Sequence, residues 1–339
     1  MQTEKNKYPF LHENKIRYMR TLVQSGFAVF CLWGGYRFYL FYLWGTGRSE
    51  AFVSRPPLVE AFLPLSALLG LKRFVLSGVF DPIHPAGLTI FMAALTIGLL
   101  ARKGFCGWIC PIGFTSNLVE KFSKKIKILW MPPSWIDYPL LSIKYLLLAF
   151  FAYIILLKMP LQQIESFQKS SYNMVADAKM LLFFLNPSGL AAGIMIFLVL
   201  ISFVIRNFWC RYLCPYGALL GILSFASPMK IKRDMQTCID CKKCEKTCPA
   251  SIHITRKTTV RSADCIGCGE CAAACPVDDC LTLSVPGRRR VSLYLLPAAV
   301  LGIFFLFWLI AVTTGHWHTA VPPEVMKQLY PSLANLPHP

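Results

Sequence analysis

Residues 238–249 read CIDCKKCEKTCP, and residues 265–276 read CIGCGECAAACP. Each run has the spacing Cys-x2-Cys-x2-Cys-x3-Cys-Pro. A cubane cluster takes four thiolates, and where this run occurs twice, three close cysteines of one run are completed by the last cysteine of the other. Cys238, Cys241, Cys244 and Cys275 are therefore expected to hold one [4Fe–4S] cluster, and Cys265, Cys268, Cys271 and Cys248 a second. Gly267 and Gly269 let the backbone curl around a cluster, because glycine tolerates positive φ. Amides turned inward in this way can donate to sulfur and tune the potential. Structural zinc needs four ligands per ion and does not call for an exchanged fourth ligand twice. Neither set leaves a spare coordination site or an acid–base neighbour, so the pair reads as an electron relay with no catalytic residue.

The surrounding sequence is apolar. Of 339 residues, 55% are hydrophobic and 15% charged, with a mean hydropathy of +0.50. Roughly 25% charged residues would be usual for a soluble domain. Five segments have about the length and apolar character of a bilayer span: Met19–Trp44, Pro85–Ala101, Leu140–Lys158, Ser188–Ile205 and Val291–Thr313. The first exceeds the roughly 7–15-residue core of a cleavable signal and reads as a retained helix. The expected fold is mainly α, a polytopic membrane protein of about five transmembrane helices with an inserted ferredoxin-like (α+β) segment. Its divisions are an N-terminal segment at 1–18, a membrane core at 19–228, the two-cluster domain at 229–287, a fifth helix at 288–314 and a tail at 315–339.

The net charge of +18 does not point to nucleic acid, since no DNA- or RNA-reading module is visible. The cations mark loops instead. Lys5, Lys7, Lys15, Arg17 and Arg20 precede or open the first span, and Arg102, Lys103, Lys121, Lys124, Lys125 and Lys127 follow the second. The alternate loops hold fewer: Arg48, Arg55, Lys72 and Arg73 in one, Lys169 and Lys179 in the next, and Lys327 in the tail. Positive loops stay inside, so the N-terminus and the ferredoxin domain should face the cytoplasm and the C-terminus the periplasm. Thiolate ligands need that reducing side. Arg288, Arg289 and Arg290 should anchor the return to the membrane. In the loop from Gly45 to His84, the apolar runs Leu58–Leu71 and Phe74–Phe80, split by Lys72 and Arg73, read as two interfacial or re-entrant helices.

A repeat lies within the membrane core. Residues 105–113, FCGWICPIG, match residues 209–217, WCRYLCPYG. Cysteines at i and i+4 of a helix share a face, so Cys106, Cys110, Cys210 and Cys214 could converge and bind a further cluster or another thiophilic metal, or cycle as redox thiols. The flanking aromatics Phe105, Trp108, Trp209 and Tyr212 suit interface depth anyway.

Paired Cys-x3-Cys-Pro motifs followed by a two-cluster ferredoxin segment resemble the NapH/NosR-type polyferredoxin family, as does residues 55–62, RPPLVEAF, in the outer loop. The resemblance covers about residues 15 to 285 and is nearer to NapH, because the large flavin-carrying periplasmic domain of the NosR type is missing. It implies a bacterial cytoplasmic-membrane subunit of a quinol dehydrogenase, with quinone as substrate and a periplasmic cytochrome or iron–sulfur protein as redox partner. The fifth span and tail depart from the pattern. The CcoG type shares the cysteine motifs and implies a metal-reducing or metalloenzyme-maturation factor; a redox sensor is a further alternative.

A quinol site needs a proton acceptor near the outer face, and Glu60, Asp81 and His84 are its candidates. Haem b at His84, His316 and His318 is not expected, since histidine is commonplace at the interface, and no Cys-x2-Cys-His attachment site for haem c occurs. Cys31 and Cys280 read as buried thiols.

Overall fold

The computed structural model describes residues 9–333. Lys5, Lys7, Pro337 and Pro339 lie outside the described residues. The chain is mostly helical with one four-stranded sheet, and it divides into two compact units. The first takes residues up to Ala28, Ala94–Tyr145 and Ile201–Ile303; the second takes Val29–Ala93, Leu146–Leu200 and the chain from Phe304 onward.

Among the described residues, two helical stretches are long and apolar enough to cross a membrane, Ser134–Lys158 and Leu295–Thr313. A third span arises if Ala176–Leu185 and Gly189–Val204, bent by 79° at their junction, count as one. The first helix runs over Pro9–Gly45. Pro85–Leu100, with 16 residues, is apolar but short.

In the first unit the sheet consists of β1 (Lys230–Arg233), β2 (Thr259–Val260), β3 (Leu281–Val285) and β4 (Arg288–Val291), in the order β2-β1-β3-β4 and antiparallel throughout. Ile231 opposes both Leu283 and Val260, and all three are buried. That alternation is what a half-buried strand requires. The cysteine runs fill the two connections, β1 to β2 and β2 to β3. Arg288–Arg290 do not begin the fifth span as expected: they form β4 behind a turn at Gly287 (φ +76°), and the helix starts at Leu295.

The repeated motifs are not continuous helices, which corrects the i/i+4 expectation. The helix Gly104–Trp108 stops before Cys110, whose extended backbone (ψ 121°) is the N-cap of the next helix, Pro111–Lys125. The π-type turn Trp209–Leu213 likewise ends before Cys214 (ψ 105°), the N-cap of Pro215–Leu223. Proline is the cause. It disfavours helical geometry in the residue before it and suits the first position of a new helix.

The core of the second unit gathers Phe38, Phe41, Tyr42 and Trp44 with Val59, Ile83 and Val175. Val321, Met326, Tyr330 and Leu333 from the tail pack into the same core, so residues 321–333 are tied down, with a short helix over Pro323–Leu329. The loop before it also differs from expectation. Pro57–Phe62 is a 3₁₀ turn, and Pro64–Ser77 is one α-helix that runs through Lys72 and Arg73. The charges do not break it because both leave sideways. The Lys72 ammonium donates to the carbonyls of Ile155, Leu156 and Met159, which the end of the Ser134–Lys158 stretch leaves open, and Arg73 donates to Gln168 at 2.8 Å.

Candidate functional site

The two ferredoxin loops have the same backbone. Positive φ occurs at Asp240 and Lys242 in the first, and at the equivalent Gly267 and Gly269 in the second. Only the second loop needs glycine for space as well: a Cβ on Gly267 would lie 3.1 Å from the Ala101 carbonyl and 3.3 Å from Arg102. The curl turns amides toward sulfur. Asp240 donates to Cys238, Glu245 to Cys244, Ala250 and Ile252 to Cys248, and Glu270 to Cys268.

The thiols group crosswise. Cys244 feels Cys275 and Cys241, while Cys271 feels Cys268, Cys248 and Cys265 most and Cys244 of the other set least. A cavity lined by Cys248, Cys265, Cys268 and Cys271 lies beneath Ile231 and Ile252. A cavity rimmed by four thiols, with amides aimed at sulfur, fits an iron–sulfur cluster. Among the described residues, no three His, Cys, Asp or Glu side chains meet at the spacing of a single metal ion.

The environments of the two sets differ. Cys241 is exposed and Cys238 half-buried, and Arg233 donates to the Cys238 sulfur at 3.2 Å. The Asp240 amide, then Arg233, hold the Cys238 thiol below its ordinary range. Cys268 and Cys271 are buried, and burial drives both thiols up. Cys280 is buried, as its sequence reading has it, beside Cys275 and Cys238, and donates to the Asp234 carbonyl. Nothing in its spacing signals that position.

The Cys-x3-Cys-Pro segments pack on the loops of the second set. Trp108 Nε1 donates to the Gly267 carbonyl at 3.0 Å, and Gly107 lies so close to the Ile266 carbonyl that a Cβ there would collide. Arg20 bridges the Gly107 carbonyl and the Glu270 carboxylate. Asn207, just before the other repeat, and Arg211 within it donate to the carbonyls of Pro249 and Ala250 at 3.0 and 2.9 Å. Trp108 and Tyr212, which the sequence gives little weight, are fully buried; Trp108 is part of this floor, and Tyr212 donates to Asp137. Cys106, Cys110, Cys210 and Cys214 lie within electrostatic reach of one another. Ser116 lies against Cys210 and the Gly217 amide donates to Cys214 at 3.2 Å. Burial raises Cys106 strongly against the opposing pull of Lys103, and pushes Cys210 up to about 12. As free thiols both are poor nucleophiles.

The second unit holds a buried charge network. Arg55 Nε donates to Asp177 at 2.6 Å and Nη1 to Glu60 at 2.8 Å, with Nη2 3.5 Å from His84 Nδ1. His84 Nε2 donates to the Asn173 carbonyl at 2.7 Å, and Gly87 N–H donates to Glu60. Glu60 and His84 are thus brought together as expected, joined by Arg55 and Asp177, which sequence reasoning missed. Asp81 touches the His84 backbone and does not join the side-chain network. One of its oxygens caps the Ile83 and His84 amides and the other accepts from Gln168, so it positions the start of the Pro85–Leu100 helix. His316 is exposed, set edge-on against Phe80 and bonded to Thr314, and His318 is exposed. Cys31 is half-buried.

Burial alone would raise Glu60, but Arg55, then His84 and the Gly87 amide, hold it below its ordinary 4.5. Burial would lower His84, but the Glu60 carboxylate raises it above 6.5. The Glu60 contribution to stability is present above the ordinary carboxylate value and lost as pH falls through the lower folded one. The His84 contribution is full below 6.5 and lost as pH rises through the higher folded value. Melting temperature should therefore crest between pH 4.5 and 6.5 for this pair. His84→Gln should flatten the alkaline arm and shrink the acid arm to the part that Arg55 and the Gly87 amide support, as melting measured against pH in detergent would reveal.

Residues 83–128 and 186–234 match a family profile described as a 4Fe-4S binding domain, and residues 230–283 match a 4Fe-4S dicluster domain. The Escherichia coli (strain K12) protein YccM, which bears a provisional electron-transport name, is 39% identical over 301 residues, covering 86% of this chain and 84% of its own. The ferredoxin-type protein NapH of Haemophilus influenzae is 24% identical over 72% of this chain and 78% of its own. The regulatory protein NosR of Stutzerimonas stutzeri is 29% identical over 48% of this chain and 22% of its own. No solved structure matches the chain.

Proposed function

The chain belongs to the NapH/NosR-type family of membrane polyferredoxins, and on that premise we propose that it relays electrons between the quinone pool and a partner oxidoreductase through two [4Fe–4S] clusters. Cys238, Cys241, Cys244 and Cys275 hold one cluster and Cys265, Cys268, Cys271 and Cys248 the other; each supplies one-electron transfer. The observation that carries the reading is the floor beneath the second set, where Trp108, Asn207 and Arg211 from both Cys-x3-Cys-Pro segments bond directly to its loops. Such contacts give electrons a bonded route between the membrane core and the ferredoxin segment. Cys106, Cys110, Cys210 and Cys214 hold a further iron–sulfur centre on that route, in keeping with the 4Fe-4S description of the profile that covers them.

In this proposal the chain crosses the bacterial cytoplasmic membrane five times, with the ferredoxin segment in the cytoplasm and the C-terminus in the periplasm, as the distribution of Lys and Arg supports. Quinol gives up its protons at the Arg55–Glu60–His84–Asp177 network. Ionisable side chains at such depth are costly and mark function more often than chance. The partner is a membrane-associated or periplasmic redox protein.

Menaquinol added anaerobically to the full chain in native membranes should reduce part of the iron–sulfur EPR signal that dithionite develops. Glu60→Gln, which leaves Asp177 to balance Arg55, should slow that reduction at least tenfold while the dithionite signal stays. No reduction by quinol at any poise would reject the relay.

A further inference from the structure

Lys103 is 5% exposed, at the start of the Gly104–Trp108 helix. Its ammonium lies 3.3 Å from the point where a Cβ on Gly217 would sit, and the Cys214 sulfur lies 3.5 Å from the same point. Charge and thiol therefore share one small patch at the beginning of the Pro215–Leu223 helix. Cys106 and Cys210 are also among the nearest electrostatic partners of Lys103. The carboxylate it faces, Asp264, is already paired with the buried Lys144 at 2.5 Å. Two lysines thus share one aspartate, leaving a positive charge within reach of the sulfurs of Cys106, Cys210 and Cys214.

A buried ammonium is costly unless an anion balances it. Four neutral thiols carry no charge, and neither does a pair of disulfides. Four thiolates around a [4Fe–4S] core of charge +2 carry −2 in total, and −3 after accepting one electron, with no bond made or broken. We propose that Lys103 is the fixed counter-charge of a third iron–sulfur cluster held by Cys106, Cys110, Cys210 and Cys214, and that its ammonium makes this centre easier to reduce. The inference rests on the reading of those four cysteines as cluster ligands. The electron donor is the quinol of that reading, and Lys103 acts as a positioning charge that touches no substrate. Glycine at 217 belongs to the same device, since a side chain there would press on both the ammonium and the sulfur.

The test uses the full chain, purified anaerobically in detergent, with iron analysis and a mediated redox titration followed by EPR. Lys103→Met should retain the iron of all centres and make the membrane centre about tenfold harder to reduce at a given poise, which is ~59 mV for one electron. The two ferredoxin clusters should titrate unchanged, and Lys103→Arg should restore the wild-type potential. A Lys103→Met protein that titrates as wild type overturns the inference. If Lys103→Met fails to assemble the centre, Lys103→Arg decides: wild-type iron and potential support the charge role, and loss of the centre overturns it. A Cys106→Ala/Cys210→Ala protein that keeps all its iron would instead remove the third cluster itself, a failure of the parent reading separable from a silent Lys103.

Discussion

Replacing Arg55 with leucine is expected to destabilise the second unit by about 3–5 kcal/mol, the range for removing one partner of a buried ion pair. Arg55 and both of its carboxylate partners are nearly inaccessible, with side-chain exposures of 6% for Arg55 and 0% for Glu60 and Asp177. Losing the guanidinium leaves two carboxylates that must be either buried unpaired or protonated. Arg55→Lys should recover little, because a compact ammonium cannot span two carboxylates as a planar fork does. The triple change Arg55→Leu/Glu60→Gln/Asp177→Asn should recover much of the loss, since neutral groups carry no comparable desolvation penalty. Thermal unfolding in detergent, followed by intrinsic fluorescence, reads all three. An Arg55→Leu protein that melts with the wild type would mean that water reaches the network and the burial is not real.

The second large effect concerns the crossing of the cluster ligands. Cys248→Ala should remove the cluster of Cys265, Cys268 and Cys271 and leave that of Cys238, Cys241 and Cys244. Doubles make the assignment unambiguous. Adding Cys268→Ala to Cys248→Ala should cost no further iron, because both act on one cluster. Adding Cys241→Ala should remove the other cluster too and empty the ferredoxin segment. Non-additivity of this kind is what shared membership produces. The opposite pattern, with Cys241→Ala silent in the Cys248→Ala background, would mean that each run closes its own cluster. Iron per chain and the EPR coupling between clusters report the result.

The cysteine framework was legible because its information is local. Spacing, the following proline and the paired glycines lie within a dozen residues, and the chain reproduces them as two loops with positive φ at matching positions. The partners of Glu60 were not legible in the same way. Asp177 lies 122 residues from Arg55, and only folding makes them a pair. Lys103 read as one more cation after a span, and its burial among thiols depends on a repeat more than a hundred residues away. The helical phase of the Cys-x3-Cys-Pro motifs was misread for a different reason: the proline that marks the motif also ends the preceding turn. Lys72 and Arg73 seemed to split a helix because apolar run length was the only signal, yet long side chains can lie across a helix surface and leave its backbone intact.

The floor beneath the second cysteine set bears on whether the ferredoxin segment is a portable module. Its sheet is complete once β4 is included, so residues 229–291 invite excision as a soluble electron carrier. The carbonyls of Pro249, Ala250, Ser262 and Gly267, however, receive their donors from Asn207, Arg211, Arg102 and Trp108. Cutting the segment free would expose the side that the protein keeps dry and leave Gly267 curled against nothing. The segments that carry Arg102, Trp108, Asn207 and Arg211 are therefore part of the ferredoxin domain in every sense except chain order. The segment is less a passenger than the upper half of one electron-carrying body whose lower half is written earlier in the sequence.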